Sequence, residues 1–435
     1  MSMTVSEQKT MPSRAASTAA HLAKRHRVEK RFRFYGAAAI AFCFLAVIVL
    51  FASIVSKGYP AFLQTHVTLS VPLDEQVIDP AGTRLRNDLY IADYTKLARQ
   101  ALYTALDTGK DRASRKKAGQ LLSRGVDVEL RDLVLADPSL IGTTVEVSLT
   151  AADNVDALLK GAIDRNVPAA SRQLDDQQLA WIDKLIAAGK IHKDFNWTLF
   201  TRGASSQPET AGLLVALIGS LYMMLTVTFL AVPFGVAGAI YLEEFAPRNK
   251  WTDLIEVNVN NLAAVPSIVY GLLGLAVFIN AFGLPRSAPI VGGLVLSLMT
   301  LPTIIIATRA AVAAVPPSIK EAALGIGASK MQVIMHHVLP LAVPGILTGT
   351  IIGLVRALGE TAPLLMIGMV AFVVDPPATP LEPATALPIQ IYMWATSAER
   401  GFTALTGAAT IILLLFSFAM NAVAIYLRRR FERRW

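Results

Sequence analysis

The sequence predicts an all-α polytopic membrane protein of six transmembrane helices, with an α+β extracytoplasmic domain between the first two. Three observations carry this expectation. Of the 435 residues, 54% are hydrophobic and only 17% charged, whereas a soluble domain carries about 25% charged residues. Six apolar windows are each long enough for a bilayer crossing, which takes about 20 residues. The single long stretch of ordinary soluble composition falls between the first and second windows.

Residues 1–34 hold eight Lys/Arg against two Glu and read as a basic cytoplasmic tail. Residues 35–56 follow as the first transmembrane helix, inside the charge-free window Phe34–Ser56. It starts too late and runs too long for a cleavable signal peptide, and no small-residue cleavage pattern follows it. Residues 57–212 hold 19 basic and 20 acidic residues, the balance of a soluble domain large enough for its own core. Within it, Val67, Leu69 and Val71, and again Val145, Val147 and Leu149, alternate with polar residues as half-buried strands do. Leu89–Leu106 places Ile91, Tyr94, Leu97, Ala101, Leu102 and Ala105 at helical spacing, and the run from Asp175 reads as a helix stopped at Gly189. His66 and His192 read as isolated, and neither a nucleophile–base pair nor a metal-ligand spacing is found. The role of this domain is not legible from its sequence.

Residues 213–428 supply the other five windows. Thr210–Leu242, Val257–Pro285, Ser287–Thr308 and Gly401–Leu427 are charge-free, and about Pro344–Val374 carries only Arg356 and Glu360. Pro233, Pro266 and Pro302 lie inside windows and are expected to mark kinks. Residues 429–435 form a second basic tail. The surplus at the two ends exceeds the whole net charge of +8, so the charge is a topology signal, not a nucleic-acid face. An even number of spans and two basic ends put both termini in the cytoplasm. The single cysteine, Cys43, excludes an intrachain disulfide and a cysteine-based zinc site.

On the cytoplasmic side falls residues 317–340, within PPSIKEAALGIGASKMQVIMHHVLPLAVPG. Ser318 with Glu321 reads as a capping box, opening a helix over about Ile319–Ile326 that stops at Gly327. Ser329 with Gln332 reads as a second capping box, starting a helix that runs to a break at Leu339–Pro340. Two short capped helices joined by a glycine turn make a rigid knob, more than a loop that merely connects spans requires.

These residues carry a resemblance. Glu321, Ala322, Ala323, Gly327, Leu339 and Pro340 match the EAA motif of binding-protein-dependent ABC importer permeases, with His337 standing where the family usually has isoleucine. Asn260–Leu275, Leu301–Ile305, Arg356–Leu365 and the group Tyr241, Leu242 and Glu244 resemble the phosphate-specific branch, most closely its PstA-type permeases, over roughly residues 213–430. The resemblance implies the type I importer permease fold and a transport role without enzymatic activity in this chain. It implies that the EAA loop couples to a cytoplasmic ATPase. The chain has no P-loop sequence, so no cofactor is expected on it, and ATP and Mg belong to the partner. The implied assembly is a heterodimer with a PstC-type permease, two copies of the ATPase and a periplasmic phosphate-binding protein, set in the lipid bilayer of the cytoplasmic (inner) membrane. No nucleic acid takes part.

Arg356 and Glu360 also speak on physical grounds. Their i,i+4 spacing is expected to place them on one helix face near mid-span. A charge at the bilayer centre costs about 2.5–3.5 kcal/mol on insertion scales, so such groups face a bundle interior or an aqueous path. The guanidinium suits phosphate oxygens and the carboxylate can hold it in place between substrates; alternatively the pair only orients the bundle. Thr361 can extend the polar face, and Arg309 reads as an interfacial anchor rather than a ligand. Physics alone leaves phosphate, sulfate and molybdate open. A membrane sensor would need an output domain, which this chain does not show after its last span. A membrane enzyme would need more than His336 and His337, which have no adjacent carboxylate pair.

Overall fold

The computed structural model describes residues 14–168 and 172–431; the first 13 residues of the basic N-terminal tail and the last four of the C-terminal one lie outside the described residues. The chain divides into two units, residues 1–56 and 57–435. In the first, α1 (Arg14–Gly58) runs through both the basic segment and the first apolar window without interruption. Its Glu29 and Arg33 pair at 2.6 Å, one turn apart.

In the second unit, a turn at Tyr59–Phe62 leads into β1 (Leu63–Pro72). Then come α2 (Glu75–Ile78), α3 (Arg86–Ile91), α4 (Tyr94–Leu106), α5 (Arg112–Gly119), α6 (Val126–Ala136), β2 (Thr144–Thr150), α7 (Asp153–Leu159), α8 (Asp176–Ala187) and β3 (Ile191–Phe195). The strands form one antiparallel sheet in the order β2-β1-β3, with Leu69 opposite Val147 and His66 opposite His192. Period-two alternation turns Val67, Leu69 and Val71 to one face, where they are buried with Leu97, Leu102, Leu130 and Ile182 of the helices. The capping box at Asp175 and Gln178 forms as expected, and Gly189 ends the helix region at φ +67°.

Two local expectations are corrected, on a helix and on the histidines, and one strand was not foreseen. The single helix over Leu89–Leu106 is two, because Asp93 leaves the helix and its carboxylate accepts the Lys96 amide to start α4 afresh. The strand β3, whose sequence IHKDF lacks alternation, closes the sheet. His66 and His192 are not isolated: as cross-strand partners their rings stack at 5.9 Å.

The remaining elements are α9 (Thr198–Thr201), α10 (Leu214–Ile240), α11 (Lys250–Ala263), α12 (Ser267–Gly274), α13 (Pro289–Ala313), α14 (Pro317–Gly325), α15 (Lys330–Val333), α16 (Leu339–Gly359), α17 (Ala362–Met366), α18 (Leu387–Ala395) and α19 (Gly401–Phe431). Among the described residues five helices are long and apolar enough to cross a membrane. A sixth crossing is available if α11 and residues 267–281, bent by 101°, count as one broken span. The window Val257–Pro285 is therefore not a straight span. Pro266 has no amide hydrogen and disfavours helical geometry in the residue before it, so the chain turns there and no residue of α11 is buried. Pro233 and Pro302, by contrast, are absorbed inside α10 and α13. The window about Pro344–Val374 is also shorter than expected: its helix ends at Gly359, and only the five-residue α17 follows before α18.

The centre of the membrane part is α13, with 61% of its most apolar window buried against 44% for α10. Helix α16 reaches it through a stripe of glycines four residues apart. A side chain at Gly345 would meet the Ala311 methyl at 2.7 Å, at Gly349 the Ala307 methyl at 2.1 Å, and at Gly353 the Thr300 methyl at 2.8 Å. Small residues permit this approach, since in lipid helices associate by packing rather than by apolar burial.

The sheet domain meets the membrane part where α19 begins. A side chain on Gly401 would strike the Asp153 carboxylate at 2.1 Å. Burial, with Glu209, Asp156 and Glu399 close by, pushes the Asp153 carboxyl up to about 6 against the opposing pull of Lys160. Between its ordinary value near 4 and about 6, the folded protein holds a proton that the unfolded chain has lost. Stability therefore falls as pH rises through that window and levels off above it.

Two outcomes follow. Gly349→Val should lower the thermal midpoint of the detergent-solubilised protein by several degrees, for a cost of about 1–3 kcal/mol; an unchanged midpoint would contradict the α13–α16 contact. The wild-type midpoint should rise as pH is lowered from 7.5 to 5.5. Asp153→Asn should shrink that rise, and an unaltered slope in the variant would exclude Asp153 as its source.

Candidate functional site

Two places in the membrane part concentrate polar chemistry, and α16 carries both. At its far end Arg356 lies in the last turn, where a cation is favoured by the helix dipole, and Gly359 is the last helical residue. Glu360 is already extended, at φ −76° and ψ 126°. The expected shared helix face is thus corrected: the helix stops between the two residues. Their side chains still meet, Nε to Oε1 at 3.5 Å, with Arg356 52% and Glu360 20% exposed. Thr361, half-buried, precedes α17, and its carbonyl accepts the Leu365 amide at 3.0 Å. The break packs against α12. A side chain at Gly271 would meet the Pro363 Cα at 2.7 Å, and buried Tyr270 donates its hydroxyl to the Leu262 carbonyl at 2.8 Å. The same carbonyl accepts the Val265 amide at 3.1 Å, so the hydroxyl adds a second bond at the bend, where Pro266 has no amide hydrogen to give.

At the other end lies the two-helix loop. Helix α14 begins at Pro317, with Pro316 as its cap and no side-chain capping bond. The capping box expected between Ser318 and Glu321 is absent, because proline at the first helical position moves Ser318 one place inside the helix. Gly327 follows at φ +89°, a left-handed turn that costs glycine little. Ser329 and Gln332 form their capping box, with bonds of 2.8 and 3.3 Å. The helix does not stop at Leu339–Pro340. A π-helical turn over Ile334–Val338 joins α15 to α16, and Pro340 sits in the first turn of the new segment, where a missing amide hydrogen is tolerated. Ala323 is buried with Val312, Val315, Val333 and Val338, while Glu321, Ala322 and Gly327 are exposed and Leu339 and Pro340 half-buried.

The sequence did not reveal how this loop is held, nor its outer surface. Lys320 bonds Glu244, and the Lys330 ammonium lies 5.2 Å from the Phe245 ring centroid. Both partners belong to a π-helical turn, Tyr241–Phe245, at the end of α10. Next to it Arg309 bridges Glu243 at 3.1 Å and Glu256 at 2.9 Å, which makes it a clasp between α10, α11 and α13. Partners 53 to 76 residues apart leave no local pattern to read. Around the loop Leu324, Ile326, Met331 and Met335 are exposed, Ile326 by 84%.

Apolar spans, a broken third crossing and a braced EAA loop define a permease subunit, and the comparisons agree. The family model for the binding-protein-dependent transport system inner membrane component matches residues 231–435. Residues 19–169 match a domain of unknown function (DUF3333). The probable ABC transporter permease protein YqgI of Bacillus subtilis is 34% identical over 39% of this chain, which spans 58% of that relative. The phosphate transport system permease protein PstA of Haemophilus influenzae is 30% identical, over 51% of this chain and 78% of its own length. PstA 1 of Mycobacterium tuberculosis is 32% identical, over 57% and 81%. The chain belongs to the PstA family of inner-membrane ABC transporter permeases.

The clasp on the loop gives a direct test. Glu244→Ala should free Lys320 and speed amide hydrogen exchange over residues 317–338 roughly fivefold, as expected for losing about 1 kcal/mol of a partly enclosed pair. Unchanged exchange there would show that Ala323 and its apolar neighbours hold the loop unaided.

Proposed function

We propose that this chain is the PstA-type permease subunit of an ATP-driven importer that moves inorganic phosphate across the cytoplasmic membrane into the cell. Family membership supports the reading, and the observation that carries it furthest is the braced loop at residues 317–340 with its apolar rim. In this reading the exposed face of α14, with Glu321, Ala322 and Gly327, and the rim residues Leu324, Ile326 and Met331 seat on a cytoplasmic ATPase. Ala323, Leu339 and Pro340 tie that seat to the spans. ATP and Mg are bound by the ATPase, present in two copies. A PstC-type permease completes the pathway, a periplasmic phosphate-binding protein delivers the anion, and both termini face the cytoplasm.

Arg356, Glu360 and Thr361 line the anion path in this proposal. The helix break leaves Arg356 half-exposed at a helix end, where its planar fork can meet phosphate oxygens. Glu360 then acts as the resident counter-ion that phosphate displaces, which keeps the arginine from being stranded unpaired between cycles.

The test is ATP-dependent uptake of labelled phosphate by the assembled complex in liposomes, with sulfate and molybdate as competitors. Arg356→Gln should abolish uptake without loss of assembly, and Glu360→Gln should slow release. The double variant Arg356→Gln/Glu360→Gln should assemble and still fail to transport. A fully transporting double variant would mean that the pair only orients the bundle, and efficient competition by sulfate would contradict phosphate as the cargo.

A further inference from the structure

The domain inserted before the permease core contains an open groove of about 1030 Å3 along α4, bounded by the turn at residues 107–110, Arg115 of α5 and the ends of β1 and β2. Its walls carry Lys96, Arg99, Lys110 and Arg115. Arg99 and Tyr103 stand one turn apart on α4, and Arg115 crosses from α5 to lay its guanidinium 5.4 Å from the Tyr103 ring centroid. The Arg115 Nε–H donates to the Gly109 carbonyl at 2.9 Å, which fixes the stack. On the other side Gly119 leaves room for Arg99: a side chain there would meet the Tyr103 hydroxyl at 3.4 Å and the Arg99 Nε at 3.5 Å. Arg115 is therefore fixed against Tyr103, and the Arg99 side chain lies near the hydroxyl end of the same residue.

None of these four cations has a carboxylate within ion-pair distance among the described residues. Elsewhere in the same domain Lys117, Lys160, Arg165 and Arg172 each have one. The groove's own acids do not fill the gap: Asp93 is engaged in capping α4 and Asp107 sits in the left-handed turn that ends it. Like charges held together without a counter-ion repel one another, and an anion between them removes that cost. The positive charge is confined to this groove: a second cavity of about 800 Å3 shares Arg99 and Tyr103, but there Lys116, Arg124 and Arg400 stand beside Asp153, Glu209 and Glu399.

We propose that this groove binds phosphoryl oxyanions, with Arg99 and Arg115 gripping them on either side of Tyr103 and Lys96 and Lys110 supplying flanking charge. Planar guanidiniums match phosphate oxygens two at a time, and lysines add undirected charge. The same chemistry is presented by free inorganic phosphate and by a polyphosphate chain, and the test separates them. The inference goes beyond the transport reading and does not use Arg356.

The full-length chain in lipid nanodiscs is titrated calorimetrically at low ionic strength with inorganic phosphate, tripolyphosphate and sulfate. Tripolyphosphate should bind saturably. Arg99→Gln/Arg115→Gln should weaken it at least tenfold with an unchanged thermal midpoint, and Arg356→Gln should leave it intact. Should the arginine pair prove necessary for folding, the exposed pair Lys96→Gln/Lys110→Gln should weaken binding several-fold instead. Tighter binding of inorganic phosphate than of tripolyphosphate would identify the free anion as the ligand, and the reverse order the linked one. No saturable heat up to about 10 mM, well below any useful affinity, would overturn the proposal. So would equal binding of sulfate, or a loss confined to Arg356→Gln, which would put the anion in the membrane part.

Discussion

The contact on which the membrane part depends is the approach of α16 to α13 through Gly345, Gly349 and Gly353. Lipid tails are as apolar as leucine, so helices there are held by close packing, and only small residues let two backbones come this near. The contact fixes one rod against the most enclosed helix of the bundle. From Lys330 to Gly359 that rod is helical for 30 residues, roughly 45 Å at 1.5 Å per residue. One of its ends is the two-helix loop and the other is the break at Arg356 and Glu360. One continuous helical stretch therefore links the loop to the charged break, and in the proposed transport reading it is the lever between them.

The π-helical turns make sense in this frame. Two of the three among the described residues lie at the loop: Tyr241–Phe245 grips it through Glu244 and Phe245, and Ile334–Val338 leads it into α16 past Pro340, while the third, Leu275–Ala281, follows α12. An extra residue in a helical turn redirects side chains without ending the helix. In a bilayer that matters, because a true interruption must find other partners for its backbone groups. At the interruption at Pro266 the Tyr270 hydroxyl adds a bond to the Leu262 carbonyl, next to the second interruption at Gly359. There α12 packs on α17, Gly271 against Pro363.

Much of this was legible in the sequence, for a physical reason. Charges are expensive in lipid, so Glu243, Arg286, Arg309 and Arg428 punctuate the windows and mark where helices leave the membrane. The breaks inside windows were not legible: Pro266 lies among uncharged residues and proline alone decides little, since Pro233 and Pro302 stay within uninterrupted helices, while Arg356 and Glu360 on either side of Gly359 have the spacing of a continuing helix. Capping divided in the same way. Ser329 and Gln332 had nothing competing for their helix start, whereas Pro317 displaced Ser318. In the sheet domain the alternating strands announced themselves, but β3 is built of IHKDF and is recruited only by its pairing with β1. The ion pairs that brace the loop join distant segments, so no spacing rule could have found them.

The claim that most needs testing is that Lys330–Gly359 is one rigid lever. Spin labels at Met331 and Ile352, both exposed on that rod, report its length by pulsed electron resonance, and a second pair at Met331 and Phe229 reports its position against α10. In the assembled complex, with and without ATP, the first distance should stay single and constant while the second shifts. A change in the Met331–Ile352 distance on ATP binding would mean that the π-helical turn is a hinge, and that loop and charged break do not move together.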